Sequence, residues 1–333
     1  MKVFLTGGTG YLGAALLQGL LAGGHQVSVL SRRPTDLSHP RLTWIRGDLL
    51  QGDPPDEILV QHRAVLHSAA LVKTWARDPR DFDRMNVDVH DRLLGRCHRL
   101  GIPRVLVTSS FLSLGPSPTG RPLTEADLQT RETFLTDYER TKHLADQSTD
   151  RWAAQGLAVS TLLPTVIYGA GRVTDGNLVG NLLYRIRTGR FPGIIGSGRQ
   201  VWSFAYLPDV VGGHLLALDR ALPGQRYILG GENRTLEDLI TRAANGLGRP
   251  PIRRRLPVAW LETLGSLMEL GARVTGKAPD LTRGVAGVYR NDYAYHSDKA
   301  VRGLGYSITP FEEGLRATFE WVRSLPRWNE ESS

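Results

Sequence analysis

At 333 residues with 41% hydrophobic side chains, the chain is long enough for one large domain or two coupled ones, and too apolar to be disordered. Its single cysteine, Cys97, excludes an internal disulfide and a cysteine-based metal centre, and is expected to be a small buried apolar residue; no metal site is expected. The formal charge of +8 comes mostly from scattered arginines without a nucleic-acid-reading motif, so a solvated basic surface is expected rather than a nucleic-acid partner.

The first half alternates short apolar strands with amphipathic helices. Strands are predicted at Lys2–Thr6, Gln26–Leu30, Leu42–Arg46, Ala64–Ser68, Arg104–Ser109 and Ala158–Leu163, and helices at Tyr11–Ala22, Met85–Leu100 and Asp137–Gln155. This alternation predicts an α/β fold, a doubly wound parallel sheet of the Rossmann type whose strand C-termini form a ligand-binding edge. The chain opens directly on the first strand, with no signal-peptide pattern ahead of it and no apolar run long enough to span a bilayer, so a cytoplasmic location is expected.

After Pro164 the pattern changes to Gly, Pro and aromatic residues. Helices are predicted at Pro208–Ala221, at Thr235–Leu247 with Thr235 as N-cap, from Val258 to about Val274, and at Phe311–Val322, with a strand at Arg226–Leu229. The expected division is a dinucleotide domain of residues 1–165 plus about 200–222, and a smaller, discontinuous substrate domain of 166–199 plus about 223–325. Val258–Val274 carries Trp260, Leu261, Leu264, Leu267 and Met268 just after Arg253, Arg254 and Arg255. That pattern fits a lid over the substrate pocket, the favoured reading, or an interfacial membrane helix.

Two motifs carry chemistry. Thr6-Gly7-Gly8-Thr9-Gly10-Tyr11-Leu12-Gly13 lies between the first strand and the first helix, where glycines permit a tight turn and the helix N-terminus offers free N–H donors to a pyrophosphate. Tyr138 and Lys142 stand at i and i+4 on one helix face, where the ammonium is expected to lower the phenol pKa and make Tyr138 an acid–base group. At the end of the second strand, Ser31-Arg32-Arg33 replaces the acidic residue that would hold an NAD ribose. A hydroxyl and two guanidiniums suit a 2′-phosphate, so NADP(H) is the expected cofactor and NAD(H) the alternative.

With these residues the chain resembles the extended short-chain dehydrogenases/reductases. The likeness implies that Asp48, followed by Leu49, faces the adenine amine. It implies that Ser68-Ala69-Ala70, following His67, let the dinucleotide lie along the backbone. Thr108, Pro164 and Val166 are expected to line the same cleft. Arg32 matches the NADP-binding Arg of dihydroflavonol reductases. Ser110, in preference to Ser109, matches the catalytic Ser, and Asn86 the fourth catalytic position. Relatives often dimerise through the helices matching Met85–Leu100 and Asp137–Gln155, which makes a homodimer the expectation.

The second half resembles dihydroflavonol reductases and 3β-hydroxysteroid dehydrogenases in Tyr206-Leu207-Pro208-Asp209 and Leu304-Gly305-Tyr306, while Trp75-Ala76-Arg77-Asp78-Pro79 resembles the hopanoid-associated sugar epimerases. Sugar-nucleotide epimerases and dehydratases usually carry an Asn where this chain has Val166, and a diphosphate-holding Arg where it has Trp202. The expectation is therefore reversible reduction of a ketone or aldehyde on a largely apolar small molecule. Phe111, Leu112, Thr165, Ile167, Trp202 and Phe204 are the expected pocket residues. The alternatives are an NDP-sugar 4-epimerase or dehydratase, or a dinucleotide-sensing protein without catalysis.

Overall fold

The computed structural model describes residues 1–127, 132–174 and 176–326. In chain order its strands are β1 (Lys2–Thr6), β2 (Gln26–Ser31), β3 (Leu42–Arg46), β4 (Ala64–His67), β5 (Val105–Thr108) and β6 (Val159–Pro164). Then come β7 (Val166–Tyr168), β8 (Ile194–Ile195), β9 (Val201–Tyr206), β10 (Arg226–Leu229), β11 (Glu232–Thr235) and β12 (Arg255–Leu256). Seven form one sheet in the order β10-β6-β5-β4-β1-β2-β3, and every pairing in it is parallel. This is the doubly wound Rossmann order. The strand sequence reverses between β1 and β4, which opens a crevice at their C-terminal ends.

The two faces of the sheet follow from the pleat, which sends alternate side chains to opposite sides. In β1, Val3 and Leu5 join the layer formed with helices Tyr11–Ala22, Leu207–Arg220 and Asp298–Leu304. Phe4, between them, joins the opposite layer with Val89, Leu93, Leu94 and Cys97. Leu16 and Leu20, one turn apart on the first helix, are fully buried; each contributes about 2 kcal/mol of burial. Cys97 is buried as a packing residue.

A second core gathers Tyr168, Leu183, Trp202, Phe204, Leu239, Tyr293, Tyr295, Phe311 and Leu315 around a small sheet of order β11-β9-β7. Two segments therefore lie differently from the expected division. Arg226–Leu229, placed by the sequence in the smaller unit, pairs with β6 as the seventh strand of the main sheet. After helix Leu207–Arg220 has packed beside the first helix, the chain returns to the open sheet edge beside β6. Conversely Val201–Tyr206, placed in the dinucleotide unit, pairs with β7 and β11.

The predicted helix Met85–Leu100 starts earlier, at Arg80, and passes through one wide turn at Arg84–Asp88 before Val89–Arg99. Such single wide turns recur at functional sites, and this one contains Asn86. Thr235 does cap its helix, accepting from Asp238 N at 3.1 Å.

Candidate active site

The glycine-rich loop packs against the neighbouring strand with no room for side chains. Gly7 has φ +78°, and a Cβ there would stand 2.6 Å from Ala69 N. A Cβ on Gly13 would stand 2.0 Å from Gly7 O. Thr6 joins the two strand ends: its Oγ1 hydrogen-bonds His67 Nδ1 at 2.8 Å and accepts from Ala69 N at 3.2 Å. Gly10 begins the first helix without a side-chain cap, so the N–H groups of Tyr11, Leu12 and Gly13 face the crevice as anion donors. The Tyr11 hydroxyl is committed elsewhere, donating to Gly169 O at 2.9 Å, and Arg172 donates to Thr9 O at 2.7 Å. The small unit is thus clasped to the loop.

At the end of β2, the Ser31 hydroxyl donates to Arg33 O at 2.9 Å and accepts from Arg33 N at 3.2 Å. Ser31, expected to help hold a phosphate, instead shapes the turn that presents two exposed arginines. Among the described residues neither Arg32 nor Arg33 forms an ion pair. Asp48 is half-buried, with Oδ1 accepting from Leu50 N at 3.0 Å, and Leu49 belongs to the core. Ser68, Ala69 and Ala70 are half-buried along the crevice. The uncapped N-terminus and the glycine cradle together fit the pyrophosphate of a nicotinamide dinucleotide.

Helix Asp137–Ala154 carries the second half of the site. Thr136 caps it, accepting from Glu139 N at 3.1 Å. One turn in, the half-buried Tyr138 side chain stands beside Ser110. Lys142 Nζ donates to Thr108 O at 3.0 Å, while Thr108 Oγ1 hydrogen-bonds His214 Nε2 at 3.1 Å. Ser110 caps the short turn Phe111–Ser113. Ser109 Oγ is buried without a hydrogen-bond partner, so it is Ser110 that meets Tyr138.

Asn86 acts on this group through neighbours. Its Oδ1 accepts from Leu71 N at 2.7 Å, and its Nδ2 donates to Thr141 Oγ1 at 3.1 Å. The loop after β4 is thereby tied to the residue preceding Lys142.

The electrostatics differ from the expected lowering of the phenol pKa. Burial pushes Tyr138 up to about 12; the Ser110 hydrogen bond opposes this and Asp146 adds to it. Burial also pushes Lys142 down to about 8, against the pull of Asp146. Desolvation outweighs the neighbouring charges because both groups stand in a low-dielectric crevice. Tyr138 is therefore held as a phenol, ready to donate.

The sequence reading missed Asp146. It lies at i+8 from Tyr138 on the same helix face and is buried, accepting from Ser113 Oγ at 2.6 Å and Arg226 Nη1 at 3.2 Å. Continuing the Tyr138–Lys142 spacing by one more turn would have pointed to it.

Of the expected pocket residues, Phe111 opens a chain of rings that leads away from Ser110. It meets Tyr293 edge-on at 5.5 Å, Tyr293 meets Trp202 at 5.7 Å, and Trp202 lies 5.1 Å from Tyr289. Leu112 packs on the same cluster. Thr165, beside Pro164, keeps a buried Oγ1 without a partner. Val166 and Phe204 are core residues, with Phe204 stacked 5.6 Å from Phe311, and Ile167 packs on the sheet side. The tyrosines were missed. Their signal was the two-residue spacing of Tyr293 and Tyr295, which bridge to Trp202 and Leu123.

This fold and crevice define an enzyme of the short-chain dehydrogenase/reductase superfamily. Residues 3–230 match the NAD dependent epimerase/dehydratase family, and the chain belongs to it. It is 29% identical to the 2-alkyl-3-oxoalkanoate reductase of Stenotrophomonas maltophilia, across 95% of this chain and 98% of that one. The crystal structure of gox2253 is similar with a TM-score of 0.78 at 26% identity, covering 98% of this chain and 99% of the other. MoeE5 in complex with UDP-glucuronic acid and NAD is similar at a TM-score of 0.75 and 25% identity, covering 97% and 99%.

Proposed function

We propose that this protein is an NADP(H)-dependent reductase of a ketone or aldehyde on a largely apolar small molecule. The observation that carries the reading is the Ser110–Tyr138 pair at the end of β5, with the phenol kept protonated by burial. The cofactor supplies hydride. Ser110 hydrogen-bonds the carbonyl oxygen and fixes its position. Tyr138 gives that oxygen its proton as charge develops there, a task suited to a neutral phenol. Lys142, anchored to Thr108 O, places positive charge beside the reacting pair and stabilises the tyrosinate left behind.

The substrate class rests on the rings beyond Ser110. Phe111 and Tyr289, half-buried at the two ends of this chain of rings, offer apolar faces backed by the buried Tyr293 and Trp202, and the Trp202 indole N–H already donates to Asn291 O at 3.0 Å. A nucleotide diphosphate needs cationic partners, and at the family's Arg position this chain has that satisfied indole. The likeness to a 2-alkyl-3-oxoalkanoate reductase supports the same class.

The test is NADPH oxidation by purified protein across 3-oxo acids of increasing alkyl length, with UDP- and dTDP-sugars as competitors. Rates should rise with chain length and ignore the sugar nucleotides. Tight UDP binding with no ketone reduction would move the protein to the epimerase branch.

A further inference from the structure

The helix Val258–Thr275 buries little of itself. Val258, Leu261, Gly265 and Ala272 face inward, where Leu261 joins a small cluster with Leu256, Ala286, Ile195 and Leu281 that is separate from the main cores. On the outer side Trp260, Leu267, Leu270 and Val274 are 55%, 63%, 61% and 83% exposed. At about 100° per residue these four fall within about 80° of arc, with half-buried Leu264 alongside. The helix's own charged residues, Glu262, Glu269 and Arg273, lie outside that arc. Exposed Thr263 stands within the same arc, and four outward apolar side chains of this size beside it are unusual on a surface that meets only water.

The unpaired charges around the stripe are mostly positive. Arg253 and Arg254 precede the helix, Arg273 ends it and Lys277 follows it; all four are exposed and none forms an ion pair among the described residues. The nearby acids are largely neutralised: Glu262 pairs with Arg290 and Glu237 with Arg255, each at 2.6 Å. Glu269 and Asp280 remain, and Glu269 is on the face turned from the stripe.

The helix also packs beside the segment that leads into the Tyr138 helix. The helix packs on Arg283–Val288, where a Cβ on Gly284 would stand 2.1 Å from Leu135 O. Leu135 immediately precedes Thr136, the cap of the helix that holds Tyr138. Tyr289, at the end of the same hairpin, closes the ring chain from Phe111.

We infer that this helix docks the protein on an anionic lipid surface, with Trp260, Leu267, Leu270 and Val274 in the headgroup–acyl boundary and Arg253, Arg254, Arg273 and Lys277 among the lipid phosphates. Apolar burial and a basic fringe are the two signals that together give stable peripheral binding. A second copy of the chain fits the face poorly, because two-fold pairing would bring the same unpaired cations together. The docking itself does not depend on the reaction proposed above.

The test is flotation of the full-length protein with vesicles of phosphatidylcholine containing about one-third phosphatidylglycerol, and with phosphatidylcholine alone. The protein should float with the anionic vesicles, at least tenfold more weakly with the neutral ones, and be released by high salt. The double variant L267S/L270S, altered only at exposed positions, should keep its melting temperature and lose at least tenfold in binding. No flotation overturns the proposal, as does flotation that the double variant leaves unchanged. Concentration-dependent dimerisation abolished by L267S/L270S, without vesicle binding, would assign the face to a second copy instead.

Discussion

Lys142 donates to the carbonyl of Thr108 across 3.0 Å, which pins helix Asp137–Ala154 to the end of β5. Ser110 stands two residues beyond that carbonyl and Tyr138 one turn before that lysine, so a single contact sets the distance between the two groups proposed to hold the substrate oxygen. Tyr138→Phe removes the proton donor and keeps the ring. Turnover should fall about a hundred- to ten-thousandfold, while dinucleotide affinity, read by fluorescence titration, stays within about threefold. Lys142→Met should lower both, because it also frees the helix from Thr108.

Asp146 holds its charge behind this pair and raises the pKa of both Tyr138 and Lys142. In Asp146→Asn both should fall, and the limb of the pH–rate profile that follows Lys142 deprotonation, near pH 8 in the parent, should move to lower pH. The variant keeps the shape but weakens the partner of the buried Arg226, which retains Asp150 at 2.6 Å. A stability cost of about 1–3 kcal/mol is expected. An unmoved limb alongside reduced stability would show that Asp146 is only structural.

Much of this was legible in the residues. The short apolar runs placed the first six strands, because a parallel sheet buried on both faces keeps its strands almost continuously apolar. The glycine loop and Tyr138–Lys142 were legible because their chemistry needs fixed spacing. β7, β8, β9, β11 and β12 were not predicted. They are short, and their pairing partners lie far away in the chain, as with Trp202 and Arg234. Asp146 was hidden for a related reason: a polar residue on a helix reads as surface until the partners that bury it, Ser113 and Arg226, are seen.

Four histidines are buried, and the three held furthest below their usual range, His67, His90 and His214, dictate acid sensitivity. His67 contacts Thr6 and lies 5.3 Å from His90, and His214 hydrogen-bonds Val210 O at 2.8 Å. Burial lowers all three, taking His90 to about 3 and His214 to about 4. The unfolded chain takes up these protons near pH 6.5, whereas the folded chain does not until much lower pH. Unfolding therefore binds protons, and stability should fall as pH drops from about 6.5 towards 4, by about 1.4 kcal/mol per pH unit per histidine. Urea unfolding between pH 7 and pH 5 checks this, and His90→Asn should reduce the slope by about one proton.

The cradle around the glycine loop allows a sharper test of the dinucleotide site. Gly13→Ala puts a methyl 2.0 Å from Gly7 O, a backbone atom that cannot swing aside. The loop must shift, which costs about 1–3 kcal/mol and spoils the donor array at the helix start. Cofactor binding should weaken more than tenfold while the far-ultraviolet circular dichroism stays that of the parent. Gly24→Ala is the contrasting control: a Cβ there meets nothing within 4 Å, although its φ of +81° strains the turn. It should cost stability without touching cofactor affinity.

Under the proposed NADP(H) reading, the choice between the two nicotinamide dinucleotides turns on Arg32 and Arg33. Their side chains are exposed and unpaired, and the Ser31–Arg33 hydrogen bonds give the turn a defined shape before any ligand arrives. A guanidinium that meets a 2′-phosphate forms charge-assisted bonds of about 1.5–3 kcal/mol, and the same group gains far less from a ribose hydroxyl. Arg32→Ala should therefore weaken NADPH by about tenfold to a hundredfold while NADH changes by less than about threefold. Arg33→Ala should act in the same direction, and the double variant should lose the preference altogether. Because both contacts are ionic, the preference of the parent should also shrink as salt rises. Equal losses for the two cofactors, or a parent that binds NADH more tightly, would mean that these arginines serve the surface and that another residue reads the ribose.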